Sequence, residues 1–148
     1  MRVTIRQVGP EDRTAWLRLF AAYAAFYQID LAPATAAAVW GWIHEPANPF
    51  WADLAVTPEG EAVGLVQYQL MHRSLGGSMT CYLSDLYVAP EARGAGAGRA
   101  LIEHVRGFAR QRGLPGVRWL TAESNTAARA LYDTFAPRTE FVLYSIVP

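Results

Sequence analysis

Alternation of polar and apolar residues is the first pattern in the chain, and it predicts a β-strand near the N-terminus. Residues 2–7 follow the two-residue period of a strand with one buried face. Across residues 16–27, large apolar side chains recur every three or four positions, which is typical of a helix buried on one face. The segment 10–12, Pro-Glu-Asp, indicates where this helix begins, since acidic side chains favour a helix N-terminus. A second apolar segment predicts a helix over residues 34–44.

Three strand-like segments rich in Val, Leu and Tyr occupy the middle of the chain. They cover residues 51–56, 62–72 and 79–88. The turns between them, at 57–60 and 74–77, contain glycine and are short. Because a short turn joins neighbouring strands that run in opposite directions, these segments predict an antiparallel meander.

Helices and strands alternate after the meander. Residues 100–111 carry apolar side chains on one side of a predicted helix and charged side chains on the other. A short strand follows at 117–122, and then a helix that Ser124 or Asn125 caps. Residues 138–147 predict a closing strand.

The resulting order of elements is β-α-α-β-β-β-α-β-α-β, which predicts an α/β fold around a mixed sheet. The strand–helix–strand connection places strand 79–88 parallel to strand 117–122. The other strands form the antiparallel meander. The closing strand, residues 141–146, offers an edge through which two copies could pair as a homodimer.

Composition narrows the class of protein. The 148 residues are 52% hydrophobic and 18% charged, which predicts a single folded domain over residues 1–148 and excludes a disordered chain. Thirteen basic and thirteen acidic side chains cancel, so no basic surplus favours nucleic acid as a partner. The N-terminus lacks the apolar run of a signal peptide, and no segment approaches the ~18 apolar residues of a membrane span. We therefore expect a cytoplasmic protein.

The single cysteine, Cys81, leaves no basis for a disulfide framework or a thiol metal site. Its position inside a predicted strand is that of a small apolar core residue. We expect no metal.

The glycine-rich segment 93–98, Arg-Gly-Ala-Gly-Ala-Gly, is the strongest chemical signal in the chain. It lies between a predicted strand and a predicted helix, where free backbone N–H groups converge at the helix N-terminus and favour an anion such as phosphate. Two familiar phosphate loops do not match. A P-loop needs Lys and then Ser or Thr, whereas Arg99 and Ala100 follow here, and the spacing of a dinucleotide-binding G-x-G-x-x-G is absent.

The remaining pattern, Arg-x-x-Gly-x-Gly, resembles the pyrophosphate signature of the GNAT superfamily of acyl-CoA-dependent N-acyltransferases. Residues 83–90 resemble the strand that precedes the loop in that family. Residues 121–132 resemble its next strand and helix, with the signature N-x-x-A-x-x-L-Y. Together the three segments cover about half of the chain and resemble the polyamine and amine acetyltransferase branch. The resemblance implies a mostly antiparallel sheet of about six to seven strands with four helices, splayed between strands 79–88 and 117–122.

The resemblance also implies a binding site for acetyl-CoA as co-substrate. It assigns backbone groups of Leu86 and Val88 to the pantetheine arm. The residues it places around the pyrophosphate are Arg93, Gly94, Gly96, Gly98 and Arg99. Asn125 would contact the pantetheine, cap its own helix, or do both.

The same resemblance makes Tyr132 the general acid that reprotonates the departing thiolate, with a plain core aromatic as the alternative. We expect Asp85 to receive the amine proton or to orient the acceptor, unless it is only a carboxylate paired at a strand kink. Near relatives that acetylate polyamines often carry Glu where Ser84 stands, so deprotonation through water remains open. Strict alternation puts Ser84 and Asp85 on opposite faces of the sheet, and a β-bulge would change that. We expect Tyr27, Ser84 and Glu123 to contact the acceptor.

These observations predict an acetyl-CoA-dependent N-acetyltransferase that acts by direct attack of a small-molecule primary amine in a ternary complex. The alternatives are a protein lysine or N-terminal acetyltransferase and a non-catalytic CoA-binding sensor domain. No metal or covalent intermediate is needed, because an amine attacks a thioester directly once an N–H donor stabilises the oxyanion.

Overall fold

The computed structural model describes residues 2–148, which form a five-stranded sheet with helices on both faces. The strands are β1 (Thr4–Gln7), β2 (Phe50–Val56), β3 (Ala62–Arg73), β4 (Ser78–Val88) and β5 (Val117–Arg118). The helices are α1 (Arg13–Phe26), α2 (Pro33–His44), α3 (Ala97–Gln111) and α4 (Thr126–Tyr132). Short 3-10 turns precede α1, join β3 to β4, and follow β4.

The strands lie in the sheet in chain order, β1-β2-β3-β4-β5. The first four pair antiparallel, as the meander predicted. β5 is parallel to β4 and pairs with it at two positions only, Cys81 with Val117 and Tyr82 with Arg118. β5 ends at Arg118, so this edge of β4 has no neighbouring strand beyond Tyr82, and the mixed, mostly antiparallel sheet expected from the sequence is confirmed.

Apolar side chains are buried on both faces of this sheet. On one face α1 and α2 supply a cluster that includes Trp16, Leu19 and Val39. On the other face α3 buries its apolar side, including Leu101 and Val105. α3 approaches closely because Gly64 lies beneath it: a Cβ at Gly64 would lie 3.0 Å from Leu101 Cδ1.

The C-terminal part of the fold differs from the expectation. The sheet has five strands rather than six or seven, and the strand predicted at 117–122 is confined to 117–118. The predicted closing strand at 138–147 is absent from the described chain, and its large apolar side chains between residues 141 and 147 are 72–91% exposed. A strand needs a partner for its backbone groups, and β5, the edge strand beside it, is only two residues long.

A buried polar cluster ties α3 to the sheet. Asp53 is 3% exposed and accepts a hydrogen bond from the Tyr68 hydroxyl. His104 Nε2, on α3, lies 3.3 Å from Asp53 Oδ2. The hydrogen bond to Asp53 raises the pKa of His104, although partial burial of the imidazole opposes that shift.

The His104–Asp53 pair makes the stability of the fold depend on pH. The pKa of His104 in the folded protein is raised above its ordinary value of 6.5. The ion pair therefore makes its full contribution to the free energy of unfolding below about pH 6.5, and this contribution is lost as the pH rises through the folded-state pKa. We expect His104→Asn to lower the free energy of unfolding more at about pH 5.5 than at about pH 8.5. Urea unfolding measures both values. His72→Asn, at an exposed position on β3, is the matched control, and an equal loss at both pH values for His104→Asn would contradict the expectation.

Candidate active site

A β-bulge in β4 decides which side chains face α1. Gln67 on β3 pairs with Asp85, but the next residue, Tyr68, pairs with Leu83, which leaves Ser84 as the extra residue. Both polar side chains then contact the same face of β3. Gln67 Nε2 donates to Asp85 Oδ2 at 2.9 Å, and Gln69 Nε2 donates to Ser84 Oγ at 2.9 Å. The bulge therefore overturns the opposite-face placement that strict alternation predicts.

Gln67 connects Asp85 to the core of the protein. Its side chain is fully buried, and its Oε1 accepts a hydrogen bond of 2.8 Å from Trp16 Nε1. Because the indole can only donate, the amide oxygen must face Trp16 and the amide nitrogen must face Asp85. The sequence analysis missed Gln67. The sequence does contain an indication of this role, because Gln67 and Gln69 are two polar residues on one face of an otherwise apolar strand.

Burial changes the acidity of Asp85. It raises the pKa of this carboxyl above the usual range, while donors from Gln67 and Tyr23 oppose that increase. A carboxylate with a raised pKa is a better proton acceptor than one in water, and the two donors hold it in one orientation. The side chain is therefore suited to take a proton or to hold an ammonium group.

Tyr132, in α4, lies against the ring of Trp119, with 5.6 Å between the centroids. Burial, with a smaller contribution from Tyr27, raises the pKa of Tyr132 to about 12. The phenol therefore keeps its proton at neutral pH. Burial is also the main cause that raises the pKa of Tyr23, and the nearby Asp85 and Tyr132 add to it. The structure thus brings Tyr23, Tyr27, Asp85 and Tyr132 together in one region.

A cavity of about 370 Å³ opens between the end of α1 and the segment that leads into α4. Phe26 and Tyr27 form one wall, and residues of 122–127 form the other. The apolar face of α1 is exposed at the C-terminal end of the helix, where Phe26 is 53% and Tyr27 is 39% exposed. These last aromatic side chains face the cavity instead of the core.

The glycine-rich loop has the geometry of an open anion cradle. Gly94 and Gly96 have φ values of 80° and 90°, which favour glycine, and a Cβ at either would meet no atom within 4 Å. α3 begins directly after them, at Ala97. Gly98 serves packing: a Cβ there would lie 3.2 Å from Leu131 Cδ2 on α4. Arg93 Nε donates to the Val88 carbonyl oxygen at 2.9 Å.

The other candidate residues surround this loop and α4. Arg99 donates to Thr134 Oγ1 at 2.6 Å, so its side chain joins α3 to the end of α4. Asn125 caps α4 by accepting from the Ala128 N–H at 3.3 Å, which agrees with the capping role. Glu123 is exposed and pairs with Arg138 at 3.2 Å. Leu86 lies on β4 beyond the last pair with β5, where the strand edge is open.

Residues 2–148 contain no cluster of three or more His, Cys, Asp or Glu side chains that could hold a metal ion. Within the same range, every helix is too short or too polar to cross a membrane.

The glycine loop at the start of α3 and the mixed sheet, in which β5 is parallel to β4, define an α/β fold. The model of the acetyltransferase (GNAT) family matches residues 16–136. The chain belongs to this family and is an N-acetyltransferase.

Individual relatives agree with the family. The chain is 34% identical over 144 residues to the D-amino-acid N-acetyltransferase HPA3 of Saccharomyces cerevisiae, covering 97% of this chain and 89% of that protein. It is 31% identical over 114 residues to the aminoglycoside N(6')-acetyltransferase type 1 of Stenotrophomonas maltophilia, covering 74% and 69%. The fold matches the structure of AAC(6')-Iy in complex with the bisubstrate analogue CoA-S-monomethyl-acetylneamine. The TM-score is 0.86 at 20% identity, covering 100% of this chain and 99% of that one.

Replacing Gln67 tests the contact that orients Asp85. We expect Gln67→Met to lower the free energy of unfolding by about 1–3 kcal/mol, because it removes a donor to a buried carboxylate and leaves the Trp16 N–H unpaired. The pKa of Asp85 should rise further, since that donor lowers it. Urea unfolding and an NMR titration of the carboxyl carbon measure the two effects. Gln69→Met is the matched control, with a smaller loss and no pKa change, and equal behaviour of the two variants would refute this role.

Proposed function

We propose that the chain transfers an acetyl group from acetyl-CoA to the primary amine of a small molecule, in a ternary complex and without a covalent enzyme intermediate. The observation that carries this proposal is the position of Asp85 and Tyr132 in one region, with the glycine loop and the open edge of β4 leading into it.

The described residues fit acetyl-CoA as the donor. The loop at 93–98 presents glycines with open space above them at the N-terminus of a 15-residue helix, which favours a diphosphate. Arg93 and Arg99 add positive charge on either side. β4 beyond Tyr82 has an edge without a neighbouring strand, along which backbone groups of Leu86 and Val88 can bind an amide-containing arm. Acetyl-CoA, when bound, supplies an activated thioester.

The chain's own residues divide the proton chemistry between them. Asp85 accepts a proton from the acceptor ammonium, directly or through a water beside Ser84, because only the free amine is a nucleophile. Tyr132 holds a phenolic proton at its Oη at neutral pH, where it is available to a leaving thiolate. Asn125 keeps Tyr132 in position by capping α4.

The surroundings of Asp85 support a small cationic acceptor. The carboxylate attracts an ammonium group, and the faces of Tyr23 and Tyr27 can stack against it. The cavity of about 370 Å³ beside Tyr27 has the size of a small ligand site. Amino acids are the first class to test, since a relative is named for acetylating D-amino acids, and aminoglycosides are the second.

A panel of amines tests the acceptor. We expect the fastest thiol release from acetyl-CoA with free amino acids, supplied as L and D forms, compared with a polyamine, an aminoglycoside and a lysine-containing peptide. Faster release with the peptide would favour a protein acetyltransferase instead. Binding of acetyl-CoA without release for any amine would favour a sensor domain.

The donor site is tested by Gly96→Val. Acetyl-CoA at 100 times its Kd should stabilise the wild-type protein by about 2.7 kcal/mol, measured by thermal unfolding. The variant should lose this stabilisation, because a branched side chain strains the positive φ and fills the cradle. Gly60→Val is the matched control: Gly60 has a φ of 89° and open space but lies in the distant β2–β3 turn. Retained binding in Gly96→Val, or equal loss in the control, would argue against this site.

Tyr132→Phe tests the general acid. The phenol is expected to contribute about 10²–10⁴ in rate, so kcat should fall by that factor. The affinity for acetyl-CoA, measured by the same thermal shift, should stay the same, because the substitution removes only the hydroxyl. A kcat equal to that of the wild type would show that another group supplies the proton.

A further inference from the structure

Arg118 lies on the face of the sheet that carries Asp85. Its neighbour Val117 in β5 packs against the apolar cluster under α3, and so does Trp119, the next residue of the chain. Because successive side chains of an extended chain point to opposite faces, the Arg118 side chain is directed to the other face, which α1 covers in part. An arginine at the edge of the sheet is therefore on the same side as the proposed acceptor site.

The strand register places Arg118 close to Asp85. Arg118 pairs with Tyr82 on β4, and Tyr82 pairs with Gln69 on β3. Asp85 pairs with Gln67, which is two residues from Gln69. With a rise of about 3.3 Å per residue and about 4.8 Å between strands, the Cα atoms of Arg118 and Asp85 are roughly 9 Å apart. The charged ends of the two side chains can thus reach the same small molecule.

Tyr82 lies between the two charged residues. Burial raises the pKa of its phenol, and the negative charge of the nearby Asp85 adds to this increase. The hydroxyl therefore keeps its proton at neutral pH and can donate a hydrogen bond to an anion beside Arg118.

The Arg118 guanidinium has no partner of its own among residues 2–148. Other arginines of this part of the chain are held: Arg106 lies 3.5 Å from a Glu103 oxygen, and Arg112 lies 4.8 Å from the centroid of the Trp51 ring. Arg118 is only partly exposed, yet neither an ion pair nor an aromatic ring occupies it. Its charge is available to a ligand.

We propose that Arg118 binds the carboxylate of an amino-acid acceptor whose ammonium group lies at Asp85, so that this arginine determines the class of acceptor. The inference rests on the proposed function, which supplies the role of Asp85. A carboxylate and a guanidinium on one face of the sheet present opposite charges to the two ends of a zwitterion. Arginine suits this contact, because its planar guanidinium donates two parallel hydrogen bonds to a carboxylate.

The same charge acts against other amines. A polyamine or an aminoglycoside carries further ammonium groups, and one of them would face the Arg118 guanidinium when the reacting amine lies at Asp85. Selectivity then comes from repulsion of the wrong acceptor as well as from attraction of the right one.

Arg118→Gln tests this contact with two acceptors that differ in charge, leucine and leucinamide. We expect kcat/KM for leucine to fall about 10- to 100-fold, mainly through KM, because a charge-assisted hydrogen bond is lost. The value for leucinamide should stay within about twofold of the wild type, since it has no carboxylate to lose a partner. Each substrate is compared between variant and wild type, so the different basicity of the two amines cancels.

Two further variants are controls. Arg118→Lys keeps the charge but loses the planar pair of donors, and it should recover part of the rate with leucine. Arg110→Gln removes an exposed arginine of α3, on the other side of the sheet, and should leave both substrates unaffected. Equal losses with leucine and leucinamide in Arg118→Gln, or no loss with leucine, overturn the inference. A wild type that acetylates leucinamide but not leucine overturns it too, while the proposed function stands.

A binding measurement separates this inference from the proposed function. If no amine releases thiol from acetyl-CoA, the proposed function fails, and calorimetric titration of leucine into the CoA-saturated protein decides the role of Arg118. The Kd for leucine should rise about 10- to 100-fold in Arg118→Gln and stay unchanged in Arg110→Gln. Absence of leucine binding to the wild type, or equal affinity in the Arg118→Gln variant, overturns the inference.

Discussion

The hydrogen bond from Gln67 to Asp85 is the contact on which the proposed active site depends. A carboxylate cannot be buried beside a sheet without a donor, and the amide that supplies it is itself oriented by Trp16 in the core. One fully buried indole and one fully buried amide therefore hold a single carboxylate in position. Two hydrogen bonds thus connect the packing of the core to the position of the Asp85 carboxylate.

The second constraint is the short pairing between β4 and β5. Only two positions pair, because β5 ends at Arg118, and the edge of β4 beyond Tyr82 therefore has no neighbouring strand. α3 begins at Ala97, directly after the glycine loop, and α4 carries Tyr132. In the proposed function, the open edge of β4 receives the pantetheine arm of acetyl-CoA and the loop receives its pyrophosphate.

The polar and apolar pattern within each helix or strand predicted most of the fold. Features that depend on contacts between different elements were missed. The apolar stripe of α3 and the meander follow from local periodicity, and both are confirmed. The bulge at Ser84 breaks the two-residue period without a glycine or proline to mark it. The strand predicted at 138–147 has the right composition, but a strand forms only against a second strand, which periodicity cannot supply. Gln67 was missed because its role depends on what lies across the sheet.

The contact at Gly98 has a mechanical consequence. The backbone of α3 at Gly98 lies against the Leu131 side chain of α4, since a Cβ at Gly98 would be 3.2 Å from Leu131 Cδ2. One helix starts at the glycine loop, and the other carries Tyr132. The absence of a side chain at Gly98 therefore sets how closely α4 approaches the start of α3. In the proposed function, this contact fixes the distance that acetyl-CoA spans between the loop and Tyr132.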